Sequence, residues 1–271
     1  MTADFLGLEK PLIGVVHLPP LPGSPRYEGD VGAIVERALS DARAYVEAGF
    51  SALIVENFGD APFLSGRVPP STVAAMAVVA REVARAVAPV PVGVNVLRND
   101  LISAISVAHV SGCKFVRANL LLGIAAAPEG LLMGEAAEAL RLRSLLKADV
   151  AILADVSVKH ARTLWAASLE AEVEDLIERG LADGLIVTGE RTGEPPSVEE
   201  LKRAREAVGG RVPVLLGSGL TPENAKELLP HCDGAIVGTY VKREGRTEAP
   251  VDVERARKLV EAARRAWGLG E

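Results

Sequence analysis

Short apolar runs and longer amphipathic stretches alternate along this chain from end to end. Eight runs rich in Val, Ile, Leu and Ala read as strands, at 12–18, 52–57, 91–97, 115–119, 150–156, 184–189, 212–217 and 234–239. Between and after them, helical patterns fall near 31–48, 70–87, 99–111, 135–148, 169–180, 197–208, 222–229 and 252–266. Gly49, Gly112, Gly180 and Gly209 stand where helices should stop. Strict strand–helix alternation is the signature of a parallel sheet. Eight repeats with none missing predict closure into a single-domain (β/α)8, or TIM, barrel over 1–271. An open doubly wound sheet is the alternative, and the absence of GxGxxG after the first strand argues against it.

Loop length adds direction to this picture. Helix-to-strand connections are short, whereas the strand-to-helix segments 19–30, 58–69, 120–134 and 157–168 are long. Length therefore gathers on the C-terminal face, where barrel enzymes carry their sites.

The polar residues that end the strands are the candidate chemistry. The first strand carries His17, followed by a loop that Pro19, Pro20, Pro22 and Pro25 stiffen by fixing φ. The second ends Glu56-Asn57, of which the alternation of strand side chains lets only one point into the barrel mouth. Asp60, just beyond, reads equally as a turn former. Asn95 ends the third strand, with Asp100 as a helix cap. Arg117 and Asn119 lie on the fourth, and an arginine in an apolar strand must be paired or must meet a ligand anion. The ion-pair reading, with Glu56 or Asp155, and the substrate reading stay level. Asp155 ends the fifth strand, diametrically opposite the first in an eight-strand barrel. His17 and Asp155 are thus the expected acid–base pair, with Glu56, Asn57, Asn95, Arg117, Asn119 and Lys159 as substrate contacts.

The stretch 212–242 supplies an anion site. Its two apolar runs end in Gly217-Ser218-Gly219 and Gly238-Thr239, and Thr221-Pro222 reads as a helix start. Backbone N–H groups at such turns suit a phosphate, and in barrels the loops after the last two strands are where phosphate binds.

Composition narrows the options. A chain of 271 residues suits one barrel of typically ~250 residues. The net charge of −6, with Lys and Arg scattered rather than striped, argues against nucleic acid. The opening MTADFLGLEK has no basic leader and no apolar core, so no signal peptide is expected. No apolar run approaches the ~20 residues of a membrane span. A cytoplasmic protein is expected; peripheral membrane contact and homo-oligomer formation stay open. Cys113 and Cys232 precede strands on opposite sides and are expected as two buried thiols, too far apart to bridge. Glutamine is absent and asparagine scarce, a pattern of heat-adapted or high-GC sources. Nothing has the spacing of a zinc site, a nucleophile elbow or a dinucleotide fingerprint, and no cofactor is required. A magnesium ion between Glu56, Asp155 and a substrate phosphate has no support in the spacing.

Five collinear stretches carry a resemblance: IGVVHLPPLPGSP (13–25), ENFGDAPF (56–63), GVNVLRND (93–100), ADVSVKHA (154–161) and GSGLTPEN (217–224). Together they resemble the BtpA/SgcQ family over nearly the whole chain. The resemblance implies a ribulose-phosphate-binding type of barrel and carries the label of photosystem I assembly or membrane biogenesis, although the family also occurs where there is no photosystem. In many relatives the loop after the fourth strand resembles TDQG, where this chain has Ala127-Pro128-Glu129-Gly130. If an acid is needed there, Glu129 alone can supply it, one place later, and this loop is left out of the expected site. More distantly, the barrel resembles the phosphoribosyl isomerases of histidine and tryptophan synthesis, which place acid and base on strands one and five and phosphate on seven and eight. The expectation is therefore a protein that binds a phosphorylated sugar or phosphoribosyl compound and catalyses its isomerisation or related acid–base chemistry. The alternative is a non-catalytic assembly factor.

Overall fold

The computed structural model describes residues 5–157, 160–164, 168–189 and 193–269. In chain order its elements are β1 (Leu12–His17), α1 (Val31–Ala48), β2 (Ala52–Glu56), α2 (Pro70–Ala86), β3 (Val92–Asn95), α3 (Leu101–Ser111) and β4 (Phe115–Ala118). A hairpin, β5 (Ile124–Ala127) and β6 (Gly130–Met133), precedes α4 (Ala136–Leu145) and β7 (Ala151–Val156). Then come β8 (Arg162–Thr163), α5 (Leu169–Glu178), β9 (Gly184–Val187), α6 (Val198–Val208), β10 (Val214–Leu216), α7 (Ala225–Leu228), β11 (Gly234–Val237) and α8 (Val253–Trp267).

Eight of these strands close into a parallel barrel in the order β1-β11-β10-β9-β7-β4-β3-β2. Period-two alternation decides which residues fill it. Ile13, Val15, Ile54, Phe115, Leu153, Ile186, Leu215 and Ile236 form the inner core, closed from below by Phe5, whose ring meets Phe115 edge-on at 5.2 Å. The residues between them, such as Leu12, Val16, Leu53, Val55, Val94 and Val116, face outward into the larger core beneath the helices. Gly93 makes room for Phe115, because a Cβ there would lie 2.3 Å from its ring. Two steps further along each inward column come the rim positions, and these are polar or glycine.

The helix boundaries have local causes. Asp30, Asp100, Ser168 and Asp252 cap N-termini through their side chains, and Ser197 with Glu200 forms a capping box. Gly49, Gly112 and Gly209 take the left-handed conformation that ends α1, α3 and α6. Gly180 does not: α5 ends at Glu178 with Arg179 as its cap, and Gly180 donates to the Asp175 carbonyl.

Two expectations change here. The segment after β4 is not a plain loop but a hairpin that pairs with β8 in a small antiparallel sheet ordered β6-β5-β8. Its first strand is built on Ala125-Ala126-Ala127, residues of weak β preference, so the run carries little strand signal. The helix expected over 222–229 shrinks to Ala225–Leu228, and Thr221 does not cap it. Instead the Asn224 side chain accepts from the Thr221 amide at 2.8 Å and donates to the Gly219 carbonyl at 2.8 Å, holding the segment as a turn. Among the described residues no helix is long and apolar enough to cross a membrane.

Candidate functional site

Strand register assembles the rim. His17 is the register partner of Glu56, and Glu56 of Asn95, so the inward ends of β1, β2 and β3 stand side by side. His17 Nε2 lies 3.5 Å from Glu56 Oε1, while Asn95 Nδ2 donates to Glu56 Oε2 at 2.7 Å. The His17 ring also leans on Phe58, centroids 4.8 Å apart. One carboxylate thus has its two oxygens turned to an amide and an imidazole, a setting in which a proton can pass between histidine and a bound molecule.

Across the barrel, Arg117 donates Nε to Asp155 Oδ1 at 2.8 Å and Nη2 to Asp155 Oδ2 at 2.9 Å. Asn119 Nδ2 adds a third bond to Oδ2 at 3.0 Å. Burial is the largest influence on Arg117 and pulls its pKa down, but the charge and hydrogen bonds of Asp155 and the charge of Glu56 together leave it above the ordinary arginine value. Because a carboxylate only accepts, Asn119 must turn its NH2 toward Asp155, which fixes its Oδ1 on the other side. That buried oxygen accepts no hydrogen bond among the described residues. Leaving such an acceptor unpaired costs about 1–3 kcal/mol.

His17, Glu56, Arg117 and Asn119 line a cavity of about 190 Å³ at the C-terminal mouth. Gly217, Ser218, Gly219, Gly238 and Thr239 line it too, with Gly238 beside the His17 ring. Gly217 gives its N–H to the Val187 carbonyl at 2.8 Å, so its amide belongs to the barrel rather than to an anion. Its contribution is space: a Cβ there would lie 2.4 Å from Thr188 Cγ2. Gly219 is left-handed at φ +72°, and a Cβ would lie 2.1 Å from the Pro195 nitrogen. The Ser218 hydroxyl is held by the Glu194 carbonyl at 2.6 Å, and the Thr239 hydroxyl meets that of Thr247 at 3.2 Å.

The expected residues divide by role. Asp155 stands on the strand opposite β1, as anticipated, yet it is only 2% exposed, does not line the cavity, and is spent on Arg117 and Asn119. Asn57 points away from the mouth: it donates to Asp60 and accepts from the Leu97 amide, bracing the loop after β3. Asp60 is more than a turn former, since its Oδ1 accepts the Leu21 amide at 2.7 Å and pins the proline-rich loop. Burial raises its pKa against the pull of that amide and of Asn57. Asn95 reaches the site only through Glu56. Lys159 lies outside the described residues.

The cavity also takes residues left out of the expected set. Glu129, at the tip of the β5–β6 hairpin, lines it beside Arg98, with Arg98 Nε 3.7 Å from Glu129 Oε2. Phe58 and Phe63 supply apolar wall. The only signal for Glu129 was its position in the loop where relatives differ. Among the described residues, no three His, Cys, Asp or Glu side chains are placed to hold a metal ion.

Comparison with known proteins agrees with this architecture. A BtpA family profile matches residues 8–265. An uncharacterized protein of Pyrococcus furiosus is 48% identical over 261 residues, covering 96% of this chain and 97% of that one. The photosystem I biogenesis protein BtpA of Synechocystis is 47% identical over 252 residues, covering 93% and 87%. Among solved structures, N-(5'-phosphoribosyl)anthranilate isomerase from P. furiosus superposes with a TM-score of 0.54 at 14% identity, covering 94% of this chain and 99% of that one, which is a likeness of fold. With a profile match spanning nearly its whole length and relatives close to half identical, the chain belongs to the BtpA family.

Proposed function

We propose that this protein binds a phosphorylated sugar or phosphoribosyl compound at the C-terminal mouth and isomerises it by acid–base chemistry. The observation that carries the reading is the contact of His17 with Glu56, 3.5 Å apart, in a cavity that the glycine turns Gly217–Gly219 and Gly238–Thr239 also line. The phosphate rests on backbone amides from Ser218 onward and at Gly238–Thr239. The neutral imidazole of His17 takes the proton from the carbon beside the substrate carbonyl, and Glu56 stabilises the imidazolium that forms. Arg117, held by Asp155, offers its remaining N–H groups to the enolate oxygen. The hydroxyl proton of the carbon that lost its hydrogen passes to the former carbonyl oxygen, and His17 returns its own proton to the former carbonyl carbon, so no net proton is consumed. Asp155 acts as a positioning residue in this scheme and His17 with Glu56 as the reacting pair.

A thermal-shift panel of inorganic phosphate, sugar phosphates and phosphoribosyl compounds tests the reading. Stabilisation by phosphate esters, with turnover lost in His17→Ala and Glu56→Gln, supports it. A flat response across the panel overturns it.

A second reading, a non-catalytic assembly factor, draws on the name of the Synechocystis relative and on one surface. Leu131, Met133 and Leu164 are each more than half exposed, and strand register sets Met133 and Leu131 on one face of the small antiparallel sheet. Under that reading His17→Ala and Glu56→Gln complement a deletion as well as the parent chain does; failure of both variants while folded excludes it.

A further inference from the structure

The cavity is small for the larger of the two substrate classes proposed above. Its volume of about 190 Å³ falls below the ~300 Å³ at which sites for drug-sized ligands begin. A short phosphorylated sugar is of that size, whereas a phosphoribosyl group with a ring system attached is a drug-sized ligand. The two walls also differ in what they offer. On the β10–β11 side, Gly217, Ser218, Gly219, Gly238 and Thr239 line the cavity. On the β4 and hairpin side, two oxygens ask for donors: Asn119 Oδ1, whose direction is set by the bond from Nδ2 to Asp155, and Glu129 Oε2. Both are buried and accept no hydrogen bond among the described residues, although Glu129 has Arg98 at 3.7 Å. Hydroxyl groups supply donors of that kind; a second phosphate or carboxylate supplies none.

We infer that the ligand is a short monosaccharide monophosphate, a triose to a pentose, whose hydroxyls are read by Asn119 and Glu129 at the end away from the phosphate. This rests on the phosphate-binding reading and narrows it. It also makes Glu129, at the turn of a hairpin with Pro128 beside it, a specificity-determining residue.

Calorimetric titration of the full chain with inorganic phosphate, glycerol 3-phosphate, ribose 5-phosphate and adenosine 5'-monophosphate separates the possibilities. Ribose 5-phosphate is expected to bind more tightly than inorganic phosphate, and adenosine 5'-monophosphate no more tightly than phosphate. Glu129→Ala is expected to weaken ribose 5-phosphate about 10-fold, the size of one lost charge-assisted hydrogen bond, while leaving inorganic phosphate unchanged. Glu129→Gln, which keeps an acceptor, restores part of the loss; an unchanged melting temperature shows that both variants are folded. If adenosine 5'-monophosphate binds as tightly as ribose 5-phosphate, the size argument is overturned. If phosphate binds but sugar esters bind no better, or Glu129→Ala weakens every ligand equally, the hydroxyl reading falls while the anion site stands. If inorganic phosphate and all the esters fail to bind, this inference and the phosphate reading fall together.

Discussion

Arg117 and Asp155 meet side-on through two parallel hydrogen bonds of 2.8 and 2.9 Å, from strands β4 and β7 that are neighbours in the barrel. Arg117 and Asp155 are 7% and 2% exposed. The pair therefore answers two needs at once. It neutralises a charge that an apolar barrel cannot otherwise hold, and it fixes the guanidinium at the floor of the cavity.

Removing one partner of this pair should cost far more than removing both. Asp155→Ala strands the Arg117 charge and is expected to lower unfolding free energy by about 3–5 kcal/mol in urea titration. The double variant Arg117→Met, Asp155→Leu replaces the pair with apolar volume and should recover most of that loss. An Asp155→Ala chain as stable as the parent would show that the charge finds water, contrary to the burial seen here.

Both cysteines should be silent in the native state. Burial pushes the thiols of Cys113 and Cys232 up to about 12, so the reactive thiolate is scarce at neutral pH and shielded as well. A thiol reagent such as Ellman's is expected to find no reactive group in the folded chain and 2 per chain in denaturing guanidinium. Fast labelling of the native protein at either position would contradict the packing around it.

The barrel was legible because inward columns repeat every second residue, and each column names its own rim residue. Ile13-Val15 leads to His17, Ile54 to Glu56, Phe115 to Arg117 and Leu153 to Asp155. What alternation does not show is pairing between columns. Alternation leaves Arg117 open to Glu56, to Asp155 or to a ligand anion, and register, which sets Arg117 beside Leu153 two residues below Asp155, decides for Asp155. Glu129 was hidden for a different reason. It reaches the cavity through a hairpin whose first strand is mostly alanine, and only its antiparallel pairing, Ala127 opposite Gly130, turns Pro128 and Glu129 over the mouth.

Stability should fall as pH rises from the carboxylate range through a window set partly by Glu172. Burial raises its pKa, and the charge of Asp155 adds to this, against the hydrogen bond from the Ser157 amide. A raised folded value means that the native chain keeps a proton which the unfolded chain sheds near the ordinary ~4.3. The unfolded state then binds fewer protons, so the contribution is fully present below that value and is lost as pH climbs through the folded pKa. Glu172→Gln removes this part of the slope. Urea titrations from pH 4 to 7 should show parent and variant diverging over that window, and parallel curves would refute the assignment.

Two glycines of the anion wall should fail in different ways when given a methyl group. At Gly219 the left-handed backbone already disfavours a side chain, and the Cβ would lie 2.1 Å from the Pro195 nitrogen and 2.5 Å from the Glu194 carbonyl carbon. Backbone on both sides has nowhere to go, so Gly219→Ala should destabilise the fold by more than the ~1–3 kcal/mol typical of overpacking. At Gly238 the nearest atom is His17 Cε1 at 2.7 Å, the edge of a side chain. The imidazole can give way, but only by leaving its place 3.5 Å from Glu56. Gly238→Ala is therefore expected to keep the melting temperature within a few degrees of the parent while moving the histidine ring signals in NMR and weakening phosphate-ester binding. Unaltered His17 signals in a folded Gly238→Ala chain would mean that β11 moves instead, and would separate the histidine from the glycine turn on which the proposed site depends.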